Sequence, residues 1–527
     1  MRLTIYIITF ILGILNVVNA EVFDIGFNLD IDEPLDPFDN ANEFIGDKRL
    51  LLSSSYKSST DRSKGLQEFT PISNQIGQSE TQYYSFSVNT SSGLGEYYEF
   101  LIFLTGNICS QPDYLTADDP SLTVYYSFNS SMFSNFELGQ MSHFENGYFQ
   151  ALERVPISSD DIDSVLYIAV RAPESTNQSA IWKYEVGVSQ NDLVFQWDDR
   201  SWASLVDTDE DSALIVTGNL TGSHLTNYSS LNATKSKYSL FIYSYDYKDY
   251  FKQLNSSWCA VRNGPALLST SYFESSFTDR GGGLQQQFFV PGLNSSTKYI
   301  AYLVSDFMGT SFGGAVYQPF EFETLGTNVC ELIYDLEFCD QVAYSVPNSE
   351  NLSNEDVKGL YDNRAKSLFS NFSKALQQIA CNTTDNAKYS PIKTCSDCYD
   401  SYKNWLCSVT IPRCSTRNIT GYKYREVGKS RNSFINDVIQ PQSEYFEILP
   451  CVNVCYAMVR DCPADFGFQC PQKNNDTISL SYYWDNGGKY ASCNYVGITL
   501  SDTSSAIKKF VINWGLLVCV VLVNIFM

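Results

Sequence analysis

The sequence predicts a multidomain β + α protein, with two antiparallel β-sandwich domains followed by a mainly helical, disulfide-rich domain. Short apolar runs separated by turn residues, a pattern typical of antiparallel sheets, fill residues 76–190 (the first β unit) and 191–325 (the second β unit). Twelve of the 15 cysteines lie between Cys330 and Cys493. Their density marks residues 326–498, the cysteine block, as a separate module.

The strand prediction depends on the spacing of apolar and turn residues. Runs such as 122–128 and 165–170 in the first β unit, and 238–245 in the second, have the length and the aromatic and β-branched content of strands. In the second unit, Val-Pro-Gly-Leu at 290–293 followed by Thr-Lys-Tyr-Ile-Ala at 297–301 resembles the end of a fibronectin type III domain. A fibronectin type III-like sandwich is therefore expected there.

Helical spacing appears within the cysteine block. Apolar residues three and four positions apart over 357–380 predict a helix with one buried face. Cys451, Cys455 and Cys462 recur at i, i+4 and i+11, and these positions share nearly one face of a helix. Disulfides from that face would fasten the helix to several neighbouring segments, each contributing about 2 to 4 kcal/mol.

Structural disulfides are the predicted role of the block's cysteines, although their spacing leaves the connectivity open. Outside the block, Cys109 is a candidate partner for Cys259. The cysteines of the block expected in disulfides are Cys330, Cys339, Cys381, Cys395, Cys398, Cys407, Cys414, Cys451, Cys455, Cys462, Cys470 and Cys493.

The two ends of the chain carry targeting patterns. Residues 1–20 have the apolar run and the small residues of a secretory signal peptide. Residues 21–75 are acidic and then Ser-rich, which predicts a linker or arm. Residues 499–527, which end in an apolar run, predict a glycosylphosphatidylinositol (GPI) attachment signal or a C-terminal membrane anchor. The GPI-attachment candidates are Ser501, Asp502 and Ser504.

Thirteen Asn-x-Ser/Thr sequons independently indicate a secreted, glycosylated ectodomain. The candidate acceptors are Asn89, Asn129, Asn177, Asn219, Asn227, Asn232, Asn255, Asn294, Asn351, Asn371, Asn382, Asn418 and Asn475. The net charge of −24 argues against nucleic acid as a partner and against binding to an anionic membrane through a basic patch.

Cys395 and Cys398 form a Cys-x-x-Cys motif, which is compatible with half of a zinc site or with a redox pair. An oxidising compartment favours structural disulfides instead, and both histidines, His143 and His224, lie far upstream. We predict no metal site and no cofactor.

Two further motifs resemble functional sites but lack required residues. The Gly-x-Ser-x-Gly pattern at 309–313 matches a nucleophile elbow, yet no histidine follows Ser311, so a Gly-rich turn is expected and no catalytic residue is assigned. The acidic run 207–211 resembles the start of a calcium loop, but Ser212 and Gly218 replace its Gly and its bidentate Glu. We interpret it as a solvated acidic loop.

Two ordered signatures in the cysteine block resemble frizzled-type cysteine-rich domains. The first is Leu-Cys-Ser at 406–408 with Ile-Pro at 411–412 and Cys414. The second runs from Pro-Cys at 450–451 to Cys-Pro at 470–471. At the C-terminal end of a histidine-poor, sequon-rich chain, such a block is similar to that of the fungal stretch-activated calcium-channel regulatory subunits, the mating-pheromone-induced-death family.

The resemblance implies a non-enzymatic regulatory (auxiliary) subunit of a plasma-membrane stretch-activated calcium channel. Its extracellular cysteine-rich domain would support calcium influx by docking on a four-repeat α subunit of the voltage-gated calcium-channel type. The implied location is the extracellular face of the plasma membrane, reached through the secretory pathway, with a pool in the endoplasmic reticulum. Self-association into a homo-oligomer is left open.

The residues proposed to contact the channel are Tyr456, Arg460 and Asp465, near the second signature. A GPI-anchored cell-surface or cell-wall glycoprotein, either an adhesin or a glycan-modifying enzyme, fits the signal, the sequons and the acidity equally well. A receptor for a lipidated ligand would require an apolar groove within 326–498.

Overall fold

The structure is a computed structural model. It describes residues 63–89, 101–112, 119–155, 165–174, 180–220, 238–307, 313–380, 389–390, 392–471, 481–483 and 493–496. The predicted signal peptide, most of the predicted arm and the segment 499–527 with its GPI-attachment candidates lie outside these residues. Cys381 and five sequons, Asn177, Asn227, Asn232, Asn382 and Asn475, also lie outside.

Two sheets form the first β unit. One has the strand order β1-β3-β8-β5-β6 and the other β2-β9-β4-β7. The first strand begins inside the segment predicted as an arm. The strands are β1 (Lys64–Leu66), β2 (Ile72–Gly77), β3 (Thr81–Ser87), β4 (Leu101–Ser110), β5 (Thr123–Ser127), β6 (Gln140–His143), β7 (Tyr148–Arg154), β8 (Val165–Arg171) and β9 (Ile181–Ser189).

The second β unit repeats this two-sheet arrangement. One sheet has the order β10-β18-β17-β13-β14, with β19 also paired to β17, and the other β11-β12-β16-β15. A short helix, α1 (Trp258–Asn263), follows β13. The strands are β10 (Phe195–Asp198), β11 (Ala203–Thr208), β12 (Ala213–Thr217), β13 (Tyr238–Ser244), β14 (Leu268–Ser269), β15 (Glu274–Thr278), β16 (Gln285–Val290), β17 (Lys298–Asp306), β18 (Gly314–Tyr317) and β19 (Phe320–Glu323).

The sheets are not purely antiparallel, contrary to the prediction. Strand β1 pairs parallel to β3, and β10 pairs parallel to β18. In each β unit the first strand is followed by a strand of the other sheet, so no hairpin fixes its direction relative to its neighbour. The remaining strand pairs of the two units are antiparallel.

The described residues of the cysteine block form three α-helices and two small sheets. Strands β20 (Cys330–Ile333) and β21 (Tyr344–Pro347) form a hairpin, and β22 (Arg413–Ser415), β24 (Tyr445–Ile448) and β23 (Lys423–Arg425) form a three-stranded sheet in that order. The helices are α2 (Asn354–Leu376), α3 (Cys395–Thr410) and α4 (Val452–Asp461), and one π-turn spans Ile435–Ile439.

The expectation of a mainly helical C-terminal domain was wrong. The described chain contains 24 strands and four α-helices, and it is mostly β-sheet. The hairpin β20–β21 packs on the second β unit, where Leu332 and Ala343 share an apolar cluster with Leu214. Helical spacing over 357–380 identified α2, but it gave no information on the sheets that support this helix.

Side-chain caps fix where α2 and α3 begin. Ser353 and Asp356 form a reciprocal capping box at the start of α2, and Thr394 and Asp397 form another at the start of α3. Each box satisfies backbone N–H groups that have no partner within the helix. Among the described residues, no helix combines the length and the apolar character that crossing a membrane requires.

One apolar core crosses from the first β unit into the second. It contains Ile108 and Trp182 of the first unit together with Trp258, Tyr302 and Val316 of the second. The disulfide Cys109–Cys259 joins β4 to α1 within this core. Because the cross-link spans 150 positions, it restricts the unfolded chain strongly, by about 5 kcal/mol on the loop-entropy estimate.

Candidate interaction site

Three disulfides hold α4 from the cysteines at its two ends and on its inner face. Cys451 bonds to Cys493, and Cys455 bonds to Cys470. Cys462, at the C-terminal end of the helix, bonds to Cys398 at the start of α3. These cysteines therefore attach α4 to three different segments.

Two further disulfides are nested around the hairpin β20–β21 and helix α2. Cys330 bonds to Cys414 and Cys339 bonds to Cys407. Cys395 is disulfide-bonded as well. Since Cys398 is bonded to Cys462, the Cys-x-x-Cys motif is neither a zinc half-site nor an internal redox pair.

The outer face of α4 carries apolar side chains beside polar ones. Tyr456 is 41% exposed and Val459 is 39% exposed, whereas Val454 and Met458 on the inner face are buried. The inner face packs in the same apolar cluster as Phe369 of α2. An exposed Tyr and Val on a helix held by three disulfides form a rigid, partly apolar surface, which we call the α4 face.

The three predicted channel-contact residues differ in their surroundings. Tyr456 lies on the α4 face, and Asp465 lies exposed on the short 3₁₀ turn after the helix. Arg460 is solvent-exposed, but its guanidinium forms a two-pronged pair with Asp461, with Nε to Oδ1 at 2.6 Å and Nη2 to Oδ2 at 2.8 Å. Any contact made by Arg460 would therefore have to share this carboxylate.

Asp461 connects three parts of the block and was missed by the sequence analysis. Besides Arg460, its carboxylate accepts a hydrogen bond from Ser401 Oγ at 2.6 Å and pairs with Lys393 Nζ at 2.9 Å. Arg460, and then Ser401 and Lys393, hold the pKa of Asp461 well below its usual range. No sequence signal marks this residue, because two of its partners lie 60 or more positions away.

An aromatic cluster lies beneath α4, between α2 and α3. Phe372 stacks on Tyr402 with ring centroids 3.6 Å apart and an interplanar angle of 10°. Phe466 and Phe468, from the turn after α4, complete the cluster around Phe372. Stacked and edge-on aromatic pairs each add about 0.5 to 1.5 kcal/mol beyond area burial. The cluster supports the α4 face from behind.

The acidic run 207–211 joins the second β unit to the cysteine block. Asp207 Oδ2 accepts hydrogen bonds from Arg413 Nε at 2.9 Å and from the backbone N–H of Ser345 at 3.0 Å. Asp209 Oδ2 accepts from the backbone N–H of Leu332 at 3.1 Å. The interpretation of this run as a solvated loop was wrong, because its acids pair with groups more than 120 positions away.

Burial raises the pKa of Asp209 to about 6, although Ser212 and the N–H of Leu332 donate hydrogen bonds that lower it. The side chain of Ser212 lies 2.8 Å from both carboxylate oxygens. Glu331 nearby raises the pKa further. A carboxylate with a pKa of about 6 changes its charge close to neutral pH.

A buried charge cluster stabilises the three-stranded sheet of the block. Glu447 on β24 is fully buried and pairs with Arg425 Nη2 at 2.6 Å and with Arg431 Nε at 2.6 Å. A buried carboxylate requires such compensation, since an isolated buried charge costs several kcal/mol. No sequence pattern indicates this pairing.

One group of metal-type ligands lies close together among the described residues: Cys109, Cys259 and Glu185. The two sulfurs form a disulfide, so they offer no thiolate to an ion. Burial raises the pKa of Glu185, which also accepts a hydrogen bond from Ser73 Oγ at 2.8 Å. This group acts as a structural cross-link. Of the predicted elbow 309–313, the described residues include Gly313 alone.

Eight candidate glycosylation sites lie within the described residues. Asn255 is half-buried. The other seven are exposed: Asn89, Asn129, Asn219, Asn294, Asn351, Asn371 and Asn418.

Fold and site together define a β-rich protein, cross-linked by disulfides, that presents a rigid helical surface. The family model of Mid1, described as a stretch-activated Ca²⁺-permeable channel component, matches residues 101–499. The chain belongs to this family. A component of such a channel works at a membrane and associates with a channel partner.

Named relatives agree with this assignment. The stretch-activated cation channel MID1 of Saccharomyces cerevisiae is 37% identical over 480 residues, which cover 82% of this chain and 87% of the relative. The stretch-activated cation channel yam8 of Schizosaccharomyces pombe is 36% identical over 353 residues, or 66% of this chain and 70% of the relative.

Among solved structures, the glycoside hydrolase domain of Endo-D from Streptococcus pneumoniae aligns with 48% of this chain and 33% of that chain, at 10% identity and a TM-score of 0.18. A score this low carries no argument about fold or chemistry.

Proposed function

We propose that the chain is a non-enzymatic regulatory subunit of a stretch-activated calcium channel in the plasma membrane. It would dock its cysteine block, through the α4 face, on a four-repeat α subunit of the voltage-gated calcium-channel type. Entry through a signal peptide, anchoring near the C-terminus and a location at the outer membrane face, with a pool in the endoplasmic reticulum, are parts of the same proposal.

The observation that supports docking is the combination of exposure and rigidity on α4. Tyr456 and Val459 are exposed, while Cys451, Cys455 and Cys462 fix the helix to three segments. A surface that is ordered before binding loses little conformational entropy when a partner covers it. Aromatic residues are also enriched at the centres of protein interfaces.

The test is affinity capture of the tagged, detergent-solubilised protein, with mass spectrometry of the bound partner and a calcium-influx assay in the same cells. Val459→Asp places a charge in the proposed interface and should reduce both recovery of the α subunit and influx at least tenfold. Leu152→Asp is the matched control, because Leu152 is exposed but lies on β7 of the first β unit. Undiminished recovery with Val459→Asp at normal expression would reject the α4 face.

A further inference from the structure

The Asn255 sequon differs from the other described sequons in what surrounds its serine. In Asn255-Ser256-Ser257, the asparagine is half-buried, Ser256 is 3% exposed and Ser257 is 0% exposed. A sequon is defined by the hydroxyl two positions after the asparagine, so the transferring enzyme must reach that hydroxyl as well as the amide. In the folded chain the hydroxyl of this sequon is inaccessible.

Hydrogen bonds hold the Ser257 hydroxyl in place. Its Oγ donates to the backbone carbonyl of Ile108 on β4 at 2.8 Å and accepts from the backbone N–H of Ala260 at 3.1 Å, which caps α1. The preceding residue is also fixed, since the N–H of Ser256 donates to the carbonyl of Asn146 at 3.0 Å. The segment therefore lies between β4 and the turn before β7.

Close packing leaves no room for the segment to open while α1 stays in place. A Cβ added to Gly147, in the turn before β7, would lie 3.0 Å from Leu254 Cα and 3.1 Å from Ser257 Cβ. Next to the sequon, the N–H of Trp258 donates to Asn107 Oδ1 at 3.2 Å. Cys259 then bonds to Cys109, two residues from the Ser257 hydroxyl in sequence.

We propose that Asn255 accepts an N-glycan only in the open chain, and that closure of Cys109–Cys259 ends its reactivity. In the transfer, Asn255 Nδ2 bonds to the anomeric carbon of an oligosaccharide carried on a polyprenyl diphosphate. The bond from that carbon to the diphosphate oxygen breaks, the diphosphate leaves with the electron pair, and the amide nitrogen loses a proton. The inference rests on the secretory route in the proposed function.

Asn294 provides a matched internal control. Its sequon, Asn294-Ser295-Ser296, lies in the turn between β16 and β17, and all three residues are exposed in the folded chain. Folding therefore leaves its acceptor hydroxyl accessible. Tryptic cleavage after Lys252 and Arg262 isolates Asn255 in the peptide 253–262, and cleavage after Arg280 and Lys298 isolates Asn294 in 281–298.

The experiment measures occupancy at both sites in full-length protein from whole cells, by enzymatic deglycosylation in ¹⁸O-water and mass spectrometry. Wild type should show lower occupancy at Asn255 than at Asn294. Cys109→Ala should raise the Asn255 occupancy several-fold. This substitution lies 146 positions from the sequon, and alanine, unlike serine, does not turn Asn107-Ile108-Cys109 into a new sequon. Because the peptides come from all of the protein in the cell, the measured glycan occupancy includes molecules of the variant that fail to fold.

Cys455→Ala, which opens the bond to Cys470 in the cysteine block, is the disulfide control and should leave Asn255 occupancy unchanged. Serine is avoided here too, because it would turn Asn453-Val454-Cys455 into a sequon. Equal occupancy of Asn255 and Asn294 in wild type, or no rise with Cys109→Ala, would overturn the proposed competition between folding and glycan transfer. Absence of glycan from Asn294 as well would overturn it together with the secretory route. If the glycan occupancies at Asn255 and Asn294 were as expected but the protein failed to capture a channel α subunit, that result would count against the proposed function and not against this inference.

Discussion

Arg413 and Asp207 lie 206 positions apart in the chain, and their side chains form an ion pair with 2.9 Å between Nε and Oδ2. Each side chain is only 14% exposed. The pair connects β22 of the cysteine block to β11 of the second β unit. Arg413 also donates from Nη2 to the backbone carbonyl of Val206 at 3.2 Å, so the guanidinium bridges a side chain and the strand that carries it.

Removing the cation should destabilise this junction. Arg413→Met leaves the Asp207 carboxylate without its main counter-charge in a poorly hydrated site, and we expect a loss of about 3 kcal/mol in the free energy of unfolding. Urea denaturation of the purified protein measures this loss. Lys429→Met is the control, because its pair with Glu426 is exposed to solvent and should contribute little to stability. Equal urea denaturation midpoints for the two variants would contradict a stabilising role for the Arg413–Asp207 pair.

The raised pKa of Asp209 predicts that the junction weakens as pH rises. The ordinary pKa of an Asp is 3.8, and burial raises that of Asp209 to about 6. Its contribution to stability is therefore complete below pH 4 and is lost as pH rises through 6. The change should reach about 3 kcal/mol at most.

Asp209→Asn removes this titration while keeping a hydrogen-bond acceptor. The difference in unfolding free energy between wild type and Asp209→Asn should therefore shift against wild type between pH 4 and pH 7. Thermal melting of both proteins at several pH values within this range tests the sign. A constant difference would show that the carboxylate ionises as easily in the folded as in the unfolded chain, and a shift in favour of wild type would show that it ionises more easily when folded. Either result would contradict the prediction.

The aromatic cluster beneath α4 should be a major contributor to the stability of the cysteine block. Phe372→Ala removes a buried ring stacked on Tyr402 and leaves a cavity, so we expect a loss of about 3 to 5 kcal/mol. Leu368→Ala on the same helix is the control, since Leu368 is 40% exposed and its truncation should cost under about 1 kcal/mol. The denaturation midpoints of the two variants measure these losses of stability. Similar losses for Phe372→Ala and Leu368→Ala would contradict the burial of Phe372 and the exposure of Leu368 on α2.

Removal of the nested disulfides should be non-additive. With Cys339–Cys407 intact, Cys330–Cys414 closes an effective loop of roughly 16 residues, so its removal by double Ala substitution should cost about 3 kcal/mol. Once it is gone, the remaining bond closes a loop of 68 positions, and its removal should cost more than 4 kcal/mol. Unfolding free energies of the two double variants and the quadruple variant measure this coupling. Simple additivity would contradict it.

Local structure was more predictable than pairing. Strand-like runs at 165–170 and 238–245 correspond to β8 and β13, because side-chain alternation and β-branched content act within a few residues. The helix over 357–380 begins earlier, at Asn354, because the Ser353 capping box fixes its start. Leu368 fits the helical spacing but is exposed. Which side of α2 is buried depends on side chains from distant parts of the chain, and these do not cover Leu368.

The candidate site was predicted only in part. The i, i+4, i+11 spacing of Cys451, Cys455 and Cys462 predicted a helix over this interval, because helical geometry is local. Helix α4 lies there, but only Cys455 is within it, and Cys451 and Cys462 flank it in extended backbone. The bond partners of these cysteines, the role of Asp461 and the burial of the acidic run 207–211 depend on chain segments far apart in sequence. No local pattern encodes such contacts, which explains why acids that join two units resembled an ordinary exposed loop.

The apolar core shared by the two β units has a mechanical consequence. Tyr302 and Trp258 of the second unit pack in the same cluster as Trp182 and Ile108 of the first, and Cys109–Cys259 crosses it covalently. Tension applied to one unit would therefore be borne by a hydrophobic interface and a sulfur–sulfur bond acting side by side. Polar bonds at Asp207 and Asp209 continue this path into the cysteine block. A pull on the first unit would therefore be transmitted to the cysteine block through side-chain contacts as well as through the backbone.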